Sequence, residues 1–159
     1  MKATLANILK EHERGMMHVT FMGDAAERMY LNGVNQDDLE VISNSVKYIS
    51  TELRMHCMSE ETKIYPGLNN YVPSYNIHEM LYEHGRIWES VEKLKTLLLK
   101  AQAGDNPEDF AIKVKIEIKA FLNLFSGHIK KENSYLYMMA SHTLTLKDLN
   151  QVFRNWKEK

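Results

Sequence analysis

Cysteine is almost missing from this chain. Cys57 is the only one, so no intramolecular disulfide can form and a secreted disulfide framework is excluded. A reducing compartment fits. The N-terminal "MKATLANILKEHERG" reaches charged residues before any signal-like apolar stretch, so the expected location is cytoplasmic. No run of 18 apolar residues occurs, and no membrane-spanning helix is expected. Neither sign of charge dominates, with 20 basic and 21 acidic side chains interspersed, which argues against nucleic acid or a polybasic membrane patch as partner. Three prolines and seven glycines in 159 residues are few, and the apolar residues recur at helical spacing, so the fold class is all-α. This length suits a single domain over residues 1–159, with a core that needs no staple.

The spacing predicts a first helix from about Thr4 to Leu31, with Ile8, His12, Met16 and Val19 on one stripe. Asn32-Gly33 is its expected left-handed terminus. A second helix starts with the acidic turn Gln36 to Asp38 and reaches about Ile64, where Pro66-Gly67 is expected to close it. Its inward row includes Ile42, Ile49, Leu53, His56 and Glu60. An ordered connection from Pro66 to about Tyr75 crosses one end. A third helix from about Asn76 to Ala103 carries Ile77, Met80, Leu81, His84, Ile87, Trp88 and Leu94 inward. "GDNP" ends it and caps a fourth helix that turns Phe121, Phe125, His128 and Glu132 inward and ends near Ala140. Thr145 or Asp148 begins a short fifth helix to about Trp156. Four long helices with short connections fold most simply as an antiparallel up-down four-helix bundle, with the last helix packed outside it.

An internal repeat organises the polar residues of this pattern. His56 and Glu60 recur 72 residues later as His128 and Glu132, and the same offset takes His12 to His84. His18, His78 and His142 have no histidine partner at that offset. On a helix, residues i and i+4 share a face, so each His-x-x-x-Glu presents an imidazole and a carboxylate to one point. One such pair is ordinary on a helix surface. Two pairs and two further histidines, each on an apolar stripe, would incur several kcal/mol of desolvation per ionised group if buried unpaired. They are expected to bind metal. Four imidazoles and two bridging carboxylates could serve two ions roughly 3.5 Å apart. Iron suits this mixed nitrogen and oxygen set, with manganese or a mixed pair as the lesser alternative. A solvent-derived oxo or hydroxo bridge would complete five ligands per ion.

Over nearly the whole chain these residues resemble the hemerythrin-like family, the cation-binding domain named for its His-His-Glu signature. "HCMSEETKIYP" and "HIKKEN" are similar to the second- and fourth-helix motifs of the subgroup that includes the di-iron proteins for repair of iron centres. The resemblance implies that His12, His56, Glu60, His84, His128 and Glu132 are di-iron ligands. It further implies a role in stress response through dioxygen, nitric oxide or peroxide, with an unidentified electron donor. Two departures stand out. Oxygen carriers of the family have a further histidine one turn after the third-helix ligand, where this chain has Trp88, so both irons are expected to accept a small ligand. The repair proteins carry an N-terminal domain with paired cysteines, and this chain has no such pair. Non-catalytic sensing or storage of oxygen or iron is the alternative, and a helical module merely stapled by metal is a third reading.

Several neighbours of these six have plainer expected roles. Cys57 is turned about 100° from His56 and is expected to pack as a small apolar residue. Tyr65 and Tyr137 are nine positions after His56 and His128, half a turn off the ligand face, and are expected to pack at helix ends. Glu52, four residues before His56, is a candidate acceptor behind a ligand. Glu11, Glu83 and Glu61 are expected to be solvated surface charge. Gly15, Gly85 and Gly127 suggest close helix approach or a gas route, and the methionines an irregular core.

Overall fold

A computed structural model describes residues 2–102, 106–138 and 144–152 of the chain. Helix α1 spans Lys2–Asn32, and Gly33, at φ 90°, ends it as a left-handed residue at no Cβ penalty. Asn35 then caps the next helix, its side chain accepting from the Asp38 amide at 2.9 Å. The second long segment is interrupted. It comprises α2 (Gln36–Tyr48), a π turn (Ile49–Leu53), α3 (Arg54–Ser59), a second π turn (Glu60–Ile64) and α4 (Tyr65–Leu68). Helix α5 spans Ser74–Gln102, α6 spans Pro107–Met138, and α7 spans Leu146–Val152. The predicted ends near Ala103, Ala140 and Trp156 lie outside the described residues.

The all-α bundle expected from the pattern is what forms. Helix α1 packs against α2 and α6, and α5 packs against the same two, so α1 and α5 occupy opposite corners of a four-cornered bundle. The 72-residue repeat therefore exchanges diagonal helices. Gly15 permits the approach of α1 to α6: a Cβ there would meet Phe125 Cζ at 3.0 Å. Gly85 and Gly127 have nothing within 4 Å of such a Cβ, so close packing does not account for them.

Pro66-Gly67 does not close the second segment. Pro66 sits in the first turn of α4, where a missing N–H costs nothing, and the chain continues as helix to Leu68. Each π turn widens the helix by one residue: the Arg54 amide bonds the Ile49 carbonyl, and the Tyr65 amide bonds the Glu60 carbonyl. Hydroxyl side chains press on both places. Ser50 and Thr51 bond the Val46 and Lys47 carbonyls at 2.6 and 2.8 Å, and Thr62 bonds the Met58 carbonyl at 2.6 Å. Such back-bonding competes with the regular ladder and bends helices.

Two apolar layers result. The larger is built around Val19, Met22, Ile49, Ile87, Phe121 and Phe125. The smaller joins Ile8, Ile64, Tyr65, Leu68, Ile77, Met80 and Val152, so α7 covers one end of the bundle on its outside, as expected. Leu81 departs from its expected inward position and is 39% exposed. Met22, Met29 and Met80 fill core positions, while Met17, Met55 and Met58 are exposed.

Candidate metal centre

Between the two layers, six polar side chains meet. His12 comes from α1, His56 from α3, Glu60 from the second π turn, His84 from α5, and His128 with Glu132 from α6. All six are at most 6% exposed. Of the other described histidines, His18 stacks on Tyr48 and reaches Ser45 at 3.3 Å and His78 is exposed, so neither joins this group; His142 lies outside the described residues.

The imidazoles meet in two pairs. His12 Nε2 lies 3.0 Å from His56 Nε2, and His84 Nε2 lies 3.0 Å from His128 Nε2. Each pair has its own carboxylate: Glu60 Oε1 is 2.9 Å from His56 Nε2, and Glu132 Oε2 is 3.3 Å from His128 Nε2. Each carboxylate also reaches the other pair. Glu132 Oε2 is 3.4 Å from His12 Nε2, and Glu60 Oε2 is 3.7 Å from His84 Nε2. The arrangement is two three-residue groups, each with atoms close enough to hold one cation, joined by two carboxylates.

The outer ring nitrogens set the direction of the inner ones. Glu11 Oε2 lies 2.5 Å from His56 Nδ1, Glu61 Oε1 lies 2.7 Å from His84 Nδ1, and Glu83 Oε2 lies 3.0 Å from His128 Nδ1. Asn133 Oδ1 lies 2.8 Å from His12 Nδ1. A carboxylate or amide oxygen only accepts, so Nδ1 carries the proton and each neutral imidazole turns a bare Nε2 inward. Four such lone pairs and two carboxylates facing one another repel unless positive charge sits among them. Glu60 Oε2 and Glu132 Oε2 are buried without any hydrogen-bond partner, as atoms awaiting a cation would be.

The titration behaviour agrees. Burial opposes charge on His56, yet the Glu60 carboxylate and the bond to Glu11 outweigh it and push its pKa up to about 10. Burial likewise opposes charge on His128, and Glu132 and Glu83 raise its pKa nonetheless. Burial alone would raise Glu60, but His56 and His12 hold its carboxyl well below the usual carboxylate range. The centre draws positive charge, whether protons or metal, and the donor set suits a transition-metal ion.

Four residues given plainer roles by the sequence reading belong here instead. Glu11, Glu83 and Glu61 are not solvated surface charge: each is one residue from a member of the cluster, and its flexible side chain reaches across to a histidine on the neighbouring helix. Their signal was present, because Glu11 repeats as Glu83, and Glu61 repeats as Asn133. Tyr65 does more than pack at the helix end. Its hydroxyl donates to Glu132 Oε1 and lies 3.5 Å from His84 Nε2. In regular α-helix it would point half a turn away. The π turn, in which the Tyr65 amide bonds the carbonyl five residues back at Glu60, rotates Tyr65 from that α-helical direction. Burial, with Glu132 and Glu60 nearby, pushes the phenol pKa well up, so Tyr65 keeps the proton it donates. Its repeat counterpart Tyr137 is in α6, with its side chain outside the described part.

Glu52 is not an acceptor behind His56: its side chain is 61% exposed and 3.6 Å from Arg14. The first π turn takes it out of the ligand row. Cys57 is buried in the larger layer as expected. Its sulfur lies within 4.8 Å of donor atoms of Glu60 and His84, and in the metal-free protein burial and the nearby carboxylates push its thiol pKa well up, so the thiol is neutral there. Trp88 lies outside the six and packs on the larger layer, with the Arg54 guanidinium 5.1 Å over its ring. No helix among the described residues is long and apolar enough to cross a membrane.

Comparison with curated proteins and with solved structures gives no match. The model of the hemerythrin HHE cation-binding domain matches residues 3–140, which takes in all four long helices and all six side chains of the centre. The chain therefore belongs to the hemerythrin HHE cation-binding domain family.

Proposed function

We propose that the chain is a non-heme di-iron protein that binds, and reacts with, small oxidants or diatomics such as dioxygen, nitric oxide or peroxide, in a stress response. The observation that carries this reading is the convergence of four Nε2 atoms with the two unpartnered oxygens Glu60 Oε2 and Glu132 Oε2. His12 and His56 would hold one ion, His84 and His128 the other, with Glu60 and Glu132 shared. When bound, the iron pair supplies one-electron redox change and positions for a small ligand. Manganese, or a mixed pair, is the competing content.

The chain's own residues restrict what reaches the centre. A cavity of about 20 Å³ lies against Glu60, Tyr65 and Glu132, and its other walls are Ile8, Ile64, Leu68 and neighbouring apolar residues. That volume suits one water-sized molecule, which favours a diatomic or peroxide over an organic substrate. The apolar layers exclude bulk water, and Tyr65 holds a proton at Glu132 Oε1.

Rapid mixing of the reduced, iron-loaded protein with dioxygen, nitric oxide and peroxide in turn tests the reading. Spectral change with consumption of at least one of them is expected. Reversible dioxygen binding without consumption would favour sensing or storage. A loaded centre inert to all three, and to azide, would leave only a structural staple.

A further inference from the structure

The 72-residue repeat relates the supports of the histidines as well as the histidines. The contact of Glu11 with His56 has its counterpart in Glu83 with His128. The contact of Asn133 with His12 has its counterpart in Glu61 with His84. In this second pair the geometry is conserved, at 2.8 and 2.7 Å, while the charge is not. A carboxylate on the Nδ1 proton gives the ring imidazolate character and makes Nε2 a stronger donor. An amide oxygen does this far less.

Other contacts do not reverse the contrast. Lys131 bonds Glu83 at 2.5 Å, but it divides its charge with Glu79 at 2.5 Å. Tyr65 draws charge from Glu132, a carboxylate whose Oε2 is nearly equidistant from His12 and His128, at 3.4 and 3.3 Å. Glu60 leans toward His56 and His12 rather than His84, yet this offset is within reach of side-chain torsion. The difference between Glu61 and Asn133 is built into the sequence.

We infer that the two metal positions are unequal: the His84 and His128 position takes a divalent cation first and holds it more tightly. Glu61 is the positioning residue that sets the difference, and Asn133 is its weaker counterpart. This rests on the two-ion reading above.

Anaerobic titration of the metal-free protein with Co(II), followed by calorimetry and visible absorption, tests it. Two ions should bind the wild type, and Glu61→Gln should weaken the tighter step roughly 10–100-fold, while Asn133→Asp should strengthen the weaker one. Single-position variants decide the matter even where the two steps merge. In His12→Ala, which leaves the His84 and His128 position whole, Glu61→Gln should weaken binding. In His84→Ala, where Glu61 faces no imidazole, the same substitution should be silent, and Asn133→Asp should tighten binding. Circular dichroism of each metal-free variant checks folding, and the Glu61 side chain, 34% exposed, tolerates exchange. Equal affinities for the two single-position variants, or equal weakening of both by Glu61→Gln, would overturn the inference. One ion or none in the wild type would instead overturn the two-ion reading.

Discussion

The Tyr65 hydroxyl donates its proton to Glu132 Oε1 across the bundle, from the start of α4 to the C-terminal part of α6. It gives one oxygen of a buried carboxylate a partner while the other oxygen has none. Tyr65→Phe keeps the ring in the smaller apolar layer and removes only that donor. The metal-free variant should be less stable by about 1–3 kcal/mol, the cost of a buried acceptor left unpaired. Thermal unfolding followed by circular dichroism measures this, and an unchanged midpoint would show that the contact does not stabilise the fold.

This tyrosine marks where periodicity alone stops being informative. The four histidines and two glutamates that converge were legible because they repeat at one offset and fall on apolar stripes. Tyr65 and Glu52 were misplaced for one reason: each π turn inserts a residue, so positions beyond it rotate by about 100° relative to the α-helical expectation. Glu11, Glu61 and Glu83 were misplaced for another. A side chain one position off the inward face points at the adjacent helix, and in this bundle that helix carries the next histidine. The bundle itself was legible, except at Pro66, whose ring fits a first helical turn as well as a stop.

Metal uptake should release protons. His56, pushed up to about 10, keeps a proton at neutral pH in the metal-free protein, and a cation at Nε2 displaces it. Apparent affinity should therefore rise with pH between about 6 and 9. Calorimetry in buffers of different ionisation enthalpy reads the proton count, and a count of zero at pH 7 would contradict the geometry described for His56. In the metal-free protein the raised pKa contributes stability that is full below about 6.5 and lost as pH rises through about 10.

Acid should act at the opposite end of the bundle. Arg28 bonds Asp38 Oδ1 through Nε and Nη2 at 2.9 and 2.6 Å, tying α1 to the start of α2. The Arg28 bonds, aided by Asn35 and opposed by burial, lower the Asp38 pKa. A depressed carboxyl contributes stability above its unfolded pKa of about 3.9 and loses it as pH falls through the lower folded value. Asp38→Asn should thus destabilise the protein at pH 7 by about 1–2 kcal/mol. The difference should fade below about pH 4. Urea unfolding at pH 7 and pH 3 measures it; a difference that persists unchanged at pH 3 would exclude the charge as its cause.

Two glycines should respond to alanine in opposite directions. Gly15→Ala forces a Cβ to 3.0 Å from Phe125 Cζ, and such overpacking costs about 1–3 kcal/mol. Gly85→Ala meets nothing within 4 Å in the middle of α5, so helix propensity should raise stability by up to about 1 kcal/mol. Thermal midpoints of the metal-free pair, moving apart in these directions, are the expected result.

The central claim is that six side chains hold two iron ions. Elemental analysis of protein purified and loaded anaerobically, with each of His12, His56, Glu60, His84, His128 and Glu132 replaced singly, tests it most directly. The expected result is close to two irons per chain in the wild type, with less in every variant. A wild-type stoichiometry well below two, or full iron content after any one replacement, would contradict it.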